Sequence, residues 1–167
     1  MKSTRFVFSR ALAVLCALLF VSFSFMSCQQ EDDDNELPPR VLIGTWKSSD
    51  GEIFTITSTS LSNSGSWGDS YAGNNLLVSY TDDKETSGYI YIKYTRAINP
   101  DYTYSETAPD VGKWYAIAFK DLTSSSLSLS GAYKENGKTS TENLEDAIST
   151  FTIVNGYFDF YSECVKQ

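Results

Sequence analysis

In Tyr89-Ile90-Tyr91-Ile92-Lys93-Tyr94-Thr95 the residues alternate, Ile90, Ile92 and Tyr94 falling on one side and Tyr89, Tyr91, Lys93 and Thr95 on the other. A period of two is that of a β-strand with two unlike faces. Similar short runs, rich in Tyr, Ile, Thr and Phe, recur from Leu42 to the end of the chain. Strands are predicted over 42–47, 52–57, 76–80, 89–95, 113–120, 127–133, 151–154 and 157–161, about eight in all. Asp50-Gly51 and Asn155-Gly156 are strong hairpin-turn signals, and 58–75, rich in Ser, Gly and Asn, reads as a loop. A longer polar loop, 96–112, carries Tyr102 and Tyr104. One helix is predicted: Asn143 is its N-cap, Glu145 and Asp146 lie in its first turn, and Leu144, Ala147, Ile148 and Phe151 share a face. Two turns of helix cannot stand alone, so this one is expected to lie across a sheet or plug a barrel end.

The N-terminal segment is of another kind. Lys2, Arg5 and Arg10 precede an apolar tract, Ala11 to Met26, broken only by Ser22 and Ser24. The tract is too short for a membrane-spanning helix, ends in a small residue and is followed by acids, which is the pattern of a cleaved export signal. Phe25-Met26-Ser27-Cys28 resembles a bacterial lipobox, with Phe25 in place of the usual leucine. The resemblance implies cleavage after Ser27 and lipidation of Cys28 as the new N-terminus; the plainer alternative is a secretion signal with Cys28 as a bystander. Residues 28–40 include Glu31, Asp32, Asp33, Asp34, Glu36, Pro38 and Pro39 with Leu37 as the one hydrophobe, a composition that favours an extended, solvated tether. Acids directly after a lipidated cysteine resemble the surface-export tethers of some outer-membrane lipoproteins; otherwise the run is a spacer. The expected division is therefore signal 1–27, tether 28–40 and folded domain 41–167. The partner implied by the lipid is the outer membrane, with the domain on the cell surface.

Loss of residues 1–27 removes Lys2, Arg5 and Arg10 and no acid, leaving 10 basic against 21 acidic residues, a net charge of −11. That charge argues against nucleic acid and against adsorption to anionic membranes. With Cys16 removed and Cys28 acylated, Cys164 is the only thiol, so the domain must stand on its hydrophobic core without a disulfide.

About eight meandering strands must also dispose of their sheet edges, and closing the sheet into a barrel does so. Gly44-Thr45-Trp46 resembles the first-strand motif of lipocalins, whose tryptophan packs at the closed end of an eight-stranded antiparallel barrel. Together with "LIGTWKSSDGEIFTITSTSL", "GYIYIKYT", "WYAIAFKDLTSSSLSLSGAY" and "NLEDAISTFT", the chain is similar to the lipocalin-like lipoproteins of spirochaetes and their relatives, most without assigned activity. It departs from the lipocalin pattern in two places. Lipocalins lay an arginine of the last strand over the tryptophan and add a C-terminal helix, whereas this chain ends Glu163-Cys164-Val165-Lys166-Gln167 and places its helix before the last hairpin.

No histidine is present, which removes Ser-His-Asp and Cys-His catalysis and the common zinc and haem sites. Asp82, Asp83 and Glu85 lack the order of a calcium loop, Asp159 alternates outward between Phe158 and Phe160, and Ser126, Ser128 and Ser130 form the wet face of a strand. No catalytic residue, metal site or cofactor is expected. The informative excess is tyrosine, 11 residues, all beyond the signal. Tyr89 and Tyr91 are expected outside if the aliphatic face of their strand is the core, either as contact surface or as cross-strand packing. Tyr102 and Tyr104 would form a rim. Two functions remain open: a barrel holding a small hydrophobic or amphipathic ligand, with Trp46, Trp114 and Phe119 as lining or core, and an adhesin-like lipoprotein with a filled barrel that meets a host or envelope protein or a glycan through exposed aromatics and loops.

Overall fold

The computed structural model describes residues 40–65 and 68–167; the export segment, Cys28 and nearly all of the tether lie outside them. The domain is an antiparallel barrel built from β1 (Gly44–Ser48), β2 (Ile53–Ile56), β3 (Ser60–Gly65), β4 (Gly68–Tyr80), β5 (Gly88–Ile98), β7 (Trp114–Lys120), β8 (Ser126–Gly131) and β9 (Ser162–Lys166). Each of these strands pairs with the next in the chain, and β9 returns to pair with β1, so the eight close on themselves. A two-residue strand, β6 (Tyr104–Ser105), adds to the end of β5 outside the ring. One helix, α1 (Leu144–Thr150), lies between β8 and β9. Among the described residues the expected all-β barrel and its single helix are both present, and the architecture is consistent with a lipocalin-like fold. Among the described residues no helix is long and apolar enough to cross a membrane.

Two stretches differ from the sequence expectation. The polar run 58–75 is not a loop: it supplies β3 and the first half of β4. Its pairing is irregular, with register shifts at Ala72/Gly73 and Asn74/Leu77 against β5. Such bulges bend a long strand pair around a barrel. Gly73 is required there because a Cβ would stand 2.7 Å from the Lys93 carbonyl oxygen and 2.8 Å from Cβ of Ile92. The second difference is the last hairpin, 151–154 with 157–161, which does not form. Asn155 instead turns its amide back to the Ser149 and Thr150 carbonyls, each at 2.9 Å, and so caps the C-terminus of α1. The chain then runs along the outside of the barrel and becomes a strand only at Ser162.

The register assigns the interior. Trp46 pairs with Phe54 and Phe54 with Asn63; Ile90 pairs with Val78 and with Ile117; Leu127 pairs with Cys164. Trp46, Phe54, Ile56, Leu61, Val78, Ile90, Ile117, Phe119, Leu127 and Leu129 are all at most 3% exposed, so this part of the barrel is filled by its own side chains. The opposite faces of β5, β7 and β8 are covered too. The segment 151–160 passes over them, Phe158 lying 5.5 Å from the Tyr89 ring and Ile153 N–H donating to the Tyr89 hydroxyl at 3.3 Å. Ala116 and Ala118, outward on β7 opposite Tyr91 and Tyr89, leave room for this layer, and Ala147 of α1 is fully buried. Ser128 and Ser130 are consequently buried and do not form a wet face.

Candidate functional site

The two ends of the barrel are built differently. At the end where β1 begins, Trp46 is fully buried and its indole N–H donates to the Leu42 carbonyl at 2.9 Å. Lys166, the β9 partner of Trp46, lays its ammonium 4.9 Å from the centre of the Trp46 ring and donates to the Val41 carbonyl at 2.7 Å. A cation of the last strand thus stands over the tryptophan after all, as lysine and not arginine. Gly44 makes this fit: its φ is +147°, and a Cβ would fall 2.6 Å from Cε of Lys166. Lys166, Leu42 and Trp46 seal this end.

At the other end β1 stops at Ser48, β5 runs on to Ile98, and the 99–113 and 132–161 connections leave the barrel. Here the inward positions hold phenols in place of aliphatic side chains. Tyr94 follows Ile90 and Ile92 on the inner face of β5, and Tyr115 is inward because it pairs with Ile92. Tyr71, two residues before Gly73, reaches the same place from β4. Tyr94 and Tyr115 stack at 4.8 Å, while Tyr71 stands edge-on to them at 6.4 and 5.4 Å respectively. Phe151 closes the group from the α1 side, 6.1 Å from Tyr115.

Above these rings is a cleft of about 560 Å³, within the range typical of small-molecule sites. Its floor is Tyr71, Tyr94 and Tyr115, and Ile98, Pro100, Tyr102, Tyr104, Pro109, Asp110 and Tyr133 contribute to its walls. Tyr102 and Tyr104 also border a neighbouring cleft of about 500 Å³ lined by Asp50, Glu52, Asp69 and Ser70. The loop between them is internally braced. Asp101 accepts from the Thr103 hydroxyl at 2.6 Å, Asn99 N–H donates to the Thr103 carbonyl at 2.7 Å, and Tyr102 is held at φ +65°, 84% exposed. A bulky side chain in the left-handed region is unusual and strained. A third depression, between β1, β8 and β9, has no aromatic side chain among the described residues that line it.

The floor is an electrically neutral, hydrogen-bonding surface. Burial raises the Tyr71 and Tyr94 phenols well above their ordinary value, their mutual proximity to Tyr115 adding to it, and burial does the same for Tyr115. Burial opposes ionisation of Asp110, but hydrogen bonds from Thr139, Ser140 and Lys113 outweigh it and hold its carboxyl below the usual range. Rings offering faces and hydroxyls in one cleft can pack an apolar body and hydrogen-bond a polar head. Among the described residues no group of three acidic or cysteine side chains is placed to hold a metal ion.

The residues singled out by sequence fall in four places. Tyr102 and Tyr104 are at the cleft. Trp46 and Phe119 are core, Phe119 packing edge-on against Tyr80 at 6.1 Å. Trp114 does not line the interior; it pairs with Lys93 on the outward face of β7, because Tyr115 takes the inward position. Tyr91 is no surface residue either, being 1% exposed beneath the layer formed by 151–160, and Tyr89 is half-buried there. Tyr71, Tyr94, Tyr115 and Asp110 escaped the sequence reading. Tyr94 had a visible signal, since it continues the aliphatic face of Ile90 and Ile92 and so marks where the interior turns polar. No protein-family model, curated protein or solved structure matches this chain.

Proposed function

We propose that this chain is a surface lipoprotein, anchored through Cys28, that serves as a non-enzymatic binding module and takes a small amphipathic ligand at the tyrosine-lined mouth of its barrel. The observation that carries the reading is the contrast within the interior: aliphatic, phenyl and indole side chains fill one half, whereas three phenols floor an open cleft of about 560 Å³ in the other. A ligand would rest on Tyr71, Tyr94 and Tyr115 and beneath Tyr102 and Tyr104, not deep in the barrel. The anchorage is supported by Phe25-Met26-Ser27-Cys28 and by the acids that follow, and the absence of histidine supports binding over catalysis.

Native mass spectrometry of the protein purified from its own producer tests both parts. The expected result is a chain beginning at an acylated Cys28, carrying an additional small mass that is lost on denaturation and is absent from a Tyr102→Ala/Tyr104→Ala variant. An unacylated chain would refute the anchorage, and a bare chain at every concentration would refute the bound ligand.

A second reading, docking to a host or envelope protein, has its own support. Val154 is 95% exposed, Phe160 76% and Ile153 57%, all on the segment that wraps the barrel wall. Exposed apolar side chains so close in sequence suit a protein contact better than solvent. Loss of partner capture on Val154→Ser and Phe160→Ser, with the mouth intact, would favour this reading.

A further inference from the structure

We infer that the mouth selects a positively charged ligand, an amine or quaternary ammonium carried on an apolar body; this rests on the mouth being the binding site. The charged residue lining the main cleft is Asp110, and those lining its neighbour across Tyr102 and Tyr104 are Asp50, Glu52 and Asp69. Among the described residues neither lining includes a lysine or an arginine. The nearby cations are already engaged. Arg96 bridges Asp69 at 2.8 Å and Glu106 at 3.7 Å, and Lys113 bridges Asp110 at 3.3 Å and Glu142 at 3.4 Å, so each cation faces two carboxylates. Lys134 is drawn off to the Asn155 carbonyl at 2.8 Å. Glu52 has no ion pair among the described residues; it accepts from the Ser162 hydroxyl at 2.7 Å, and its field reaches the Tyr71 and Tyr104 phenols.

The mouth therefore combines aromatic faces with an excess of negative charge, since Asp69 and Asp110 are bridged but Asp50 and Glu52 have no ion pair among the described residues. Ring faces attract cations, most strongly when the cation is weakly hydrated, as a quaternary ammonium is. The carboxylates add a field that draws cations and turns anions away. A fatty acid or alkyl sulfate would bring its charge against Asp110 and Glu52, and the phenols could offer it only neutral hydrogen bonds.

The test uses three probes with one apolar tail, decyltrimethylammonium, decyl glucoside and decyl sulfate, each below its micelle concentration, titrated into the full chain by calorimetry. The ammonium is expected to bind about tenfold more tightly than the glucoside, and the sulfate more weakly than either. Glu52→Gln should narrow the ammonium-to-glucoside gap several-fold and leave the glucoside unchanged, and added salt should narrow it too. Asp50→Asn, at an exposed turn, repeats the test if Glu52→Gln fails to fold. The variant Tyr102→Ala/Tyr104→Ala should lose all three probes. Equal affinities, or a preference for the sulfate, would overturn the charge selectivity while leaving the binding site in place. Ammonium binding that survives loss of Tyr102 and Tyr104 would show mere adsorption to an acidic surface and would overturn it as well. Failure of every probe would overturn both the selectivity and the proposed site.

Discussion

The Trp46 end and the Tyr94 end of this barrel share strands yet obey different rules. At the first, a fully buried indole donates to the Leu42 carbonyl beneath one lysine, in an interior of aliphatic and phenyl side chains. At the second, the same inward positions carry phenols, the strands stop unevenly, and the connecting loops stand around a cleft. The comparison teaches that the stability of the fold and its binding capacity are held by different residues. Substitutions should separate them.

The largest effect is expected at the sealed end. Trp46→Ala removes a wholly buried ring and should cost about 3–5 kcal/mol, read as a lower urea midpoint, while the charge preference of any probe binding at the mouth persists. Next comes alkali. Tyr71, Tyr94 and Tyr115 hold their protons more tightly folded than unfolded, where a phenol titrates near 10.0. Their contribution is complete below that pH and is lost as pH rises above it. The last phenolate absorbance to appear, that of the buried rings, should therefore rise together with the loss of circular dichroism in alkali, and Tyr94→Phe should shift the unfolding to higher pH. Separate transitions would show that these phenols ionise without opening the barrel.

Smaller effects refine the contrast. Lys166→Met keeps the stem over Trp46 but removes the cation and its bond to Val41, at a cost of about 1 kcal/mol measured by chemical denaturation. Tyr102→Gly should act in the opposite sense. Relief of the left-handed strain outweighs the added freedom of the unfolded chain, so stability should rise by about 0.5–1 kcal/mol while probe affinity falls. If Tyr102→Gly raised both, the Tyr102 ring would be no part of the binding surface.

How far the sequence could be read follows the same division. Strands β1, β2, β5, β7 and β8 were legible because alternation and β-branched or aromatic residues agree there. Helix α1 was legible from Asn143, whose side chain accepts from Asp146 N–H at 2.8 Å, although Ile148 turns out partly exposed and the buried stripe is Ala147 and Phe151. Strand β3 and the first half of β4 were hidden because Ser, Gly and Asn carry no strand preference of their own. Closure imposes their pairing, and the closeness of Lys93 and Ile92 demands Gly73. Asn155-Gly156 misled for a related reason, since the dipeptide serves a helix end as well as it serves a hairpin. At the site, Tyr102 and Tyr104 could be singled out as loop aromatics. The assembly of Tyr71, Tyr94 and Tyr115 could not, because it joins three strands whose register only the closed barrel determines. The covering of Tyr91 by 151–160 is likewise a tertiary event that alternation within one strand cannot announce.

The most direct test of a sealed end opposed to a binding mouth is hydrogen exchange of the full chain with and without decyltrimethylammonium. Added protection should be confined to residues 49–53, 69–73, 94–104, 109–115 and 131–139, with 42–47 and 54–61 unchanged. Protection centred on 42–47 and 54–61, around Trp46 and Leu61, would mean that the ligand enters the half described here as filled, and would contradict the account.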